Sequence, residues 1–359
     1  MTATGPPPGP LPAAEPTGAG LLPAAEPITA GPLPAAEPHT AGPLPAAEPA
    51  GDGLRFGLLL PNAGYYADPV RLLRFARTAE DSGWDGVFLW DHLLLDRATR
   101  LPLVDTWTAV TAMLTGTRRI RSGPLVTPLA QRHPWKVARE TATLDHLSGG
   151  RLVLGVGLGA SADTDFAAFG LDPDLATRAR QVDESLTVLE RLWSGEEISH
   201  HGERVRLDRV TFLPPPVQRP RIPVWVAATW PARSRTPLAR AARWDGVVPM
   251  VREPGGGLRG PDRAELDAIL AATGRPAATG PAAAGPAAAA GRPAAVPARP
   301  VDWTVAVPGR LPPDDLPRAR DLAAGYRAAG ATWWLESFDP WRRDPRQAWS
   351  WAEQGPPRP

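Results

Sequence analysis

Apolar positions along the chain fall into two alternating periods. Short runs rich in Leu, Val and Ile, bounded by Gly, Pro and Asp, predict strands at Leu54–Leu60, Gly86–Trp90, Ile120–Thr127, Arg151–Gly157, Ile222–Ala228, Asp245–Pro249, Asp302–Val307 and Thr332–Glu336. Helical spacing intervenes. Asp68-Pro69 caps and starts a helix with Leu72, Leu73, Phe75, Ala76 and Ala79 on its apolar face and a stop at Gly83. Asp105 opens the next. A third runs from Pro134 through Val137, Thr141, Leu144 and Leu147 to Ser148-Gly149-Gly150, and a fourth carries Val182, Leu186, Leu189 and Leu192 before Ser194-Gly195. Strands that alternate with helices make a parallel sheet of βαβ units, and eight such units favour a closed α/β (β/α)8 TIM barrel over an open sheet.

The pattern stops at both ends and once in between. Residues 1–52 repeat Leu-Pro-Ala-Ala-Glu-Pro from Leu11, Leu22, Leu33 and Leu44. Paired prolines forbid a continuous helix, and one Leu per copy cannot offset the entropy of ordering it. A disordered, partly polyproline-II arm follows, read as a spacer, with partner docking as the alternative. Residues 271–300 form an Ala/Pro/Gly-rich low-complexity insertion, and residues 341–359 read as a loosely ordered tail, so the barrel is assigned to 53–340. The 46 prolines and 35 glycines of the 359 residues are concentrated in such segments.

Charge and cysteine usage narrow the partners. Lys+Arg of 39 against Asp+Glu of 38 leaves a net charge of +1, which gives no global field for nucleic acid or an anionic membrane and makes a small molecule the default partner. Zero cysteines exclude disulfides, thiolate metal sites and cysteine nucleophiles. Neither an export signal nor an apolar run of about 18 residues occurs, so the chain is expected to be cytoplasmic.

Four stretches carry a family resemblance: Phe56-Gly57-Leu58-Leu59-Leu60-Pro61; Gly83-Trp84-Asp85-Gly86 through Trp90-Asp91-His92; His133-Pro134 through Asp145-His146-Leu147-Ser148-Gly149-Gly150-Arg151 to Gly155-Val156-Gly157-Leu158-Gly159; and Ala241-Ala242-Arg243-Trp244-Asp245-Gly246-Val247. In content, order and spacing they resemble the bacterial-luciferase-like monooxygenase superfamily of flavin- and deazaflavin-dependent oxidoreductases. The resemblance implies hydride transfer or oxygenation of a small organic substrate, with the deazaflavin coenzyme F420 favoured over FMN. Homodimers are common in the family, but no residue here marks an interface. A non-catalytic barrel scaffold and a nicotinamide-dependent dehydrogenase are the alternatives.

Candidate site residues follow. Asp91 and His92 end the second strand, where barrels build active sites, and a histidine there can carry a proton while the neighbouring carboxylate sets its tautomer. In some deazaflavin members the resemblance puts this histidine beside the ring. Gly157 and Gly159 allow close backbone approach to a ring or phosphate. The dinucleotide fingerprint that Gly155, Gly157 and Ala160 mimic lacks its immediate helix, and a lid or cofactor-contact loop is preferred for 161–173. The glutamate that acts after these glycines in some relatives is replaced by Ala160 and Ser161, which argues against a sugar-phosphate dehydrogenase. By resemblance alone, a cis peptide beneath the ring is expected at Pro124-Leu125. Ala228, Thr229 and Arg233 lead to a helix N-terminus suited to a flavin phosphate or the acidic tail of a deazaflavin. Trp90 and Trp230 are candidate pocket walls. No third ligand joins His200 and His201 as a metal site.

Overall fold

The computed structural model describes residues 53–231, 236–255, 257–274, 303–341 and 344–358. The repeat arm, most of the Ala/Pro/Gly-rich tract and Arg233 lie outside the described residues. The strands are β1 Arg55–Leu60, β2 Gly86–Leu89, β3 Arg121–Pro124, β4 Thr127–Pro128, β5 Leu154–Gly157, β6 Glu197–His201, β7 Arg206–Thr211, β8 Val224–Trp230, β9 Gly246–Arg252, β10 Leu258–Arg259, β11 Thr304–Gly309 and β12 Trp333–Ser337. The helices are α1 Pro69–Asp81, α2 Thr106–Gly116, α3 Pro134–Ser148, α4 Leu175–Trp193, α5 Thr236–Arg243, α6 Arg263–Thr273, α7 Leu316–Ala328 and α8 Pro345–Gln354.

The main sheet runs β3-β2-β1-β12-β11-β9-β8-β5-β4, and its neighbouring strands are parallel. β3 and β4 are two parts of one interrupted strand. The ring closes through Ser122, whose N–H donates to Arg151 O at 3.3 Å and whose carbonyl accepts from Val153 N at 3.0 Å. All eight expected strands are present as an α/β barrel, with ends that differ by at most three residues. The β6–β7 hairpin and the short β10 are additions outside the ring.

Local chemistry sets the helix ends. Asp68 accepts from Val70 N and Arg71 N, Asp105 accepts from Thr108 N, and Gly149 ends α3 at φ 63°, a conformation that favours glycine. Period-two alternation then separates two cores. Leu58, Leu60, Val87, Leu89, Val224, Val226 and Val305 face the helices, whereas Leu59, Phe88, Leu125, Val153, Trp225, Val248, Ala306, Trp333 and Leu335 fill the barrel. Phe88, Trp225 and Trp333 pack with centroids 5.4–5.7 Å apart, so the interior is solid beneath its C-terminal rim.

The segment after Pro340 departs from its expected loose order, because it contains α8. Its Pro- and Arg-rich composition hides a short amphipathic run capped by Asp344, with Ala348, Trp351 and Ala352 buried and Trp349 edge-on to Phe75 at 5.1 Å. Beyond it, Arg358 donates to Gly83 O and to Asp85 Oδ2, the latter at 2.7 Å.

Candidate active site at the C-terminal rim

His92 leaves the end of β2 on the same side as Phe88 and Trp90, as period-two geometry requires, and its ring lies 6.0 Å from that of Trp90. Its backbone is fixed by Asn62, which is fully buried. The Asn62 amide donates to His92 O at 2.9 Å and Val104 O at 3.0 Å, and its Oδ1 accepts from His92 N at 3.4 Å. His92 Nδ1 stands 2.6 Å from Oδ2 of Asp165, a fully buried side chain in the loop after β5.

Asp91 does not orient His92, contrary to the expectation from sequence. Adjacent residues of an extended chain point to opposite faces, and Asp91 turns into the helical layer. There it accepts from Arg132 Nη2 at 2.9 Å and 3.2 Å and from Trp107 Nε1 at 3.2 Å. Arg132 also donates to Thr127 Oγ1 at 3.0 Å and lies over the Trp107 ring. The pair therefore ties the ends of β2 and β4 to α2.

The next part of the rim is bare backbone. The cis peptide falls at Leu125-Val126, one bond later than Pro124-Leu125. Leu125 packs in the interior, Val126 sits partly exposed above it, and Pro124 is in register with the outward-facing Leu89, away from the rim. A Cβ on Gly157 would lie 2.4 Å from Val126 Cγ2 and 3.8 Å from Ala227 Cβ, so only glycine leaves this surface open. Gly159 has φ +83°, and a Cβ there would meet the Phe166 ring at 2.5 Å. Behind it, the buried Arg178 donates to Leu158 O at 2.9 Å and Gly159 O at 3.1 Å and lies 4.4 Å over Phe166.

On β8 the alternation places Thr229, not Ala228, on the inner row with Trp225. Ala228 is 1% exposed and packs in the outer core, which corrects its expected role; Trp230 packs against the same outer core. Thr229 is in register with Met250, and Trp90, Val126 and Met250 cover the interior cluster as partly exposed residues. In sheet order His92, Val126, Gly157, Thr229 and Met250 form one continuous arc of the rim. Asp165, which belongs to no motif of the sequence, completes it. His200 Nε2, on the β6–β7 hairpin, is paired with Glu184 of α4 at 3.2 Å.

The model of the luciferase-like monooxygenase family matches residues 54–339, and the chain belongs to that family. It is similar to an F420-dependent glucose-6-phosphate dehydrogenase of Microbacterium testaceum, 32% identical over 186 residues, covering 51% of this chain and 53% of that protein. The chain thus spans about half the length of the curated relatives it matches. Its fold resembles that of an F420-dependent secondary alcohol dehydrogenase in complex with an F420-acetone adduct, with TM-score 0.61 and 16% identity over 79% of this chain and 93% of that one. A monooxygenase, RslO1 from Streptomyces bottropensis, aligns with TM-score 0.51 and 26% identity over 61% and 64% of the two chains. No described helix is long and apolar enough to cross a membrane.

Proposed function

We propose that the chain is a flavin- or deazaflavin-dependent oxidoreductase acting on a small organic molecule, with the deazaflavin coenzyme F420 favoured and FMN the second choice. The observation that carries this reading is the arc itself: a proton-carrying His92 beside a floor of Val126, Gly157, Thr229 and Met250, without a charged side chain among these four. The fit is chemical as well as steric. A flat ring needs an apolar, side-chain-poor surface, and the Gly157 position supplies one that a Cβ would fill. Val126, Gly157 and Thr229 would hold the ring, and Arg233 is proposed for its anionic tail. When bound, such a group supplies hydride transfer or, as FMN, oxygen chemistry. The chain's own residues position it, keep water from its inner face with the Phe88, Trp225 and Trp333 plug, and exchange a proton through the His92 ring. The uncharged floor of the arc suits an uncharged organic substrate, and alcohols and carbonyl compounds are the pairs that a hydride-transferring cofactor interconverts.

The test is turnover of each cofactor, followed by its absorbance, with panels of alcohols, ketones and aldehydes. Cofactor-dependent turnover lowered about 100-fold or more by His92→Ala supports the reading. Turnover untouched by that substitution, or none with either cofactor in folded protein, contradicts it.

A further inference from the structure

We infer that Asp165 is a positioning residue that holds His92 in the tautomer with hydrogen on Nδ1, leaving Nε2 as the nitrogen that exchanges a proton with bound substrate. This rests on the proposed function for the word substrate, but the tautomer itself does not. The Asp165 side chain is completely buried, and both of its oxygens are engaged by donors from the β2 end. Oδ1 accepts from Leu93 N at 3.0 Å and Leu94 N at 3.3 Å, while Oδ2 faces His92 Nδ1 at 2.6 Å. Two backbone amides require an acceptor at Oδ1 and suit the ionised carboxylate, which offers only lone pairs. Nδ1 must then be the donor. No described residue hydrogen-bonds Nε2, and that nitrogen keeps its lone pair when the ring is neutral.

The backbone that carries the carboxylate is itself fixed from three sides. Asp165 N donates to Ser161 O at 3.1 Å, Gln131 Nε2 donates to Asp165 O at 2.7 Å, and the adjoining Phe166 is wedged between Gly159 and the Arg178 guanidinium. Among the described residues no second charged group is paired with the ring: Asp91 is turned to Arg132, and Asp163, two residues from Asp165, pairs with Arg97 at 3.3 Å in a largely exposed contact. With Asn62 bonded to both the N–H and the carbonyl of His92, the residue has its main chain and one ring nitrogen fixed, and its other ring nitrogen has no hydrogen-bond partner among the described residues. This is the arrangement expected of a residue that passes a proton in a defined direction.

Nitrogen-15 NMR of histidine-labelled protein reads the tautomer directly, with His92→Gln identifying the signals. In the wild type we expect a protonated Nδ1 and a proton-free Nε2. In Asp165→Asn we expect that preference to be lost and turnover to fall about 100-fold or more, with the cofactor Kd and substrate KM changed less than about threefold. Asp165→Glu should restore part of both. A wild-type Nε2–H tautomer would overturn the inference without any variant. So would an Asp165→Asn protein that keeps its tautomer and turnover, or one that loses cofactor affinity in step with turnover, since that marks a loop brace only. Absence of any cofactor-dependent turnover would instead remove the proposed function and leave the tautomer result standing.

Discussion

Arg132 holds Asp91 through two contacts, 2.9 Å and 3.2 Å, across 41 residues of chain, and the carboxylate that precedes His92 is thereby part of the frame behind the rim. Asp91 is 5% exposed, and its removal takes the acceptor from Arg132 Nη2 and from the Trp107 N–H. Asp91→Ala should lower stability by about 3–5 kcal/mol in denaturant unfolding. Unchanged stability together with abolished turnover would return Asp91 to the chemistry.

Gly157 tests the floor of the arc. Its Cβ would lie 2.4 Å from Val126 Cγ2, so Gly157→Ala must displace Val126, at about 1–3 kcal/mol of stability. Fluorescence titration should show cofactor affinity reduced about tenfold or more, because the displaced side chain enters the space proposed for the ring. An Ala variant that binds as tightly as wild type would move the ring elsewhere.

Arg178 secures the loop that carries Asp165. Burial lowers its pKa, opposed by Asp174, Asp172 and Asp165, but an arginine stays charged throughout the working range. Arg178→Met keeps apolar contact with Phe166 yet leaves the Leu158 and Gly159 carbonyls unpaired, for an expected loss of about 1.5–3 kcal/mol. Limited proteolysis should then cut within 158–174 faster than in wild type; equal rates would show that Arg178 does not anchor this loop.

Glu184 gives the hairpin a pH dependence. Burial alone would raise its pKa, but the amides of Val205 and Arg204 and the His200 ring together hold it below the ordinary value. A depressed folded-state pKa contributes stability above the unfolded value and loses it as pH falls through the folded one. The stability advantage of wild type over Glu184→Gln should therefore be full near pH 7 and shrink below about pH 4.5. A gap independent of pH would assign the contribution to packing instead.

The eight strands were legible because buried parallel strands read as short apolar runs between Gly, Pro and Asp. Their exact ends were not: Ile222 is apolar and buried like Val224 and Val226, yet it lies before the paired run. The facing of site residues was available in period two: Phe88, Trp90 and His92 share a row, which excludes Asp91, and Trp225 and Thr229 share another, which excludes Ala228. Asp165 was harder. It meets His92 across 73 residues, from a loop without periodicity, and its one sequence sign is an acidic residue between the small polar stretch Ser161–Thr164 and Phe166. The helix α8 was masked by composition, because its four apolar contacts are set among Arg, Pro and Gln.

The most direct measurement is titration of the full chain with F420 and with FMN, read by fluorescence and thermal shift, in wild type and Gly157→Val. Saturable binding of one cofactor, abolished by a side chain at Gly157, is the expected result. Binding of neither, or binding indifferent to that substitution, would contradict a cofactor seated on the His92–Met250 arc.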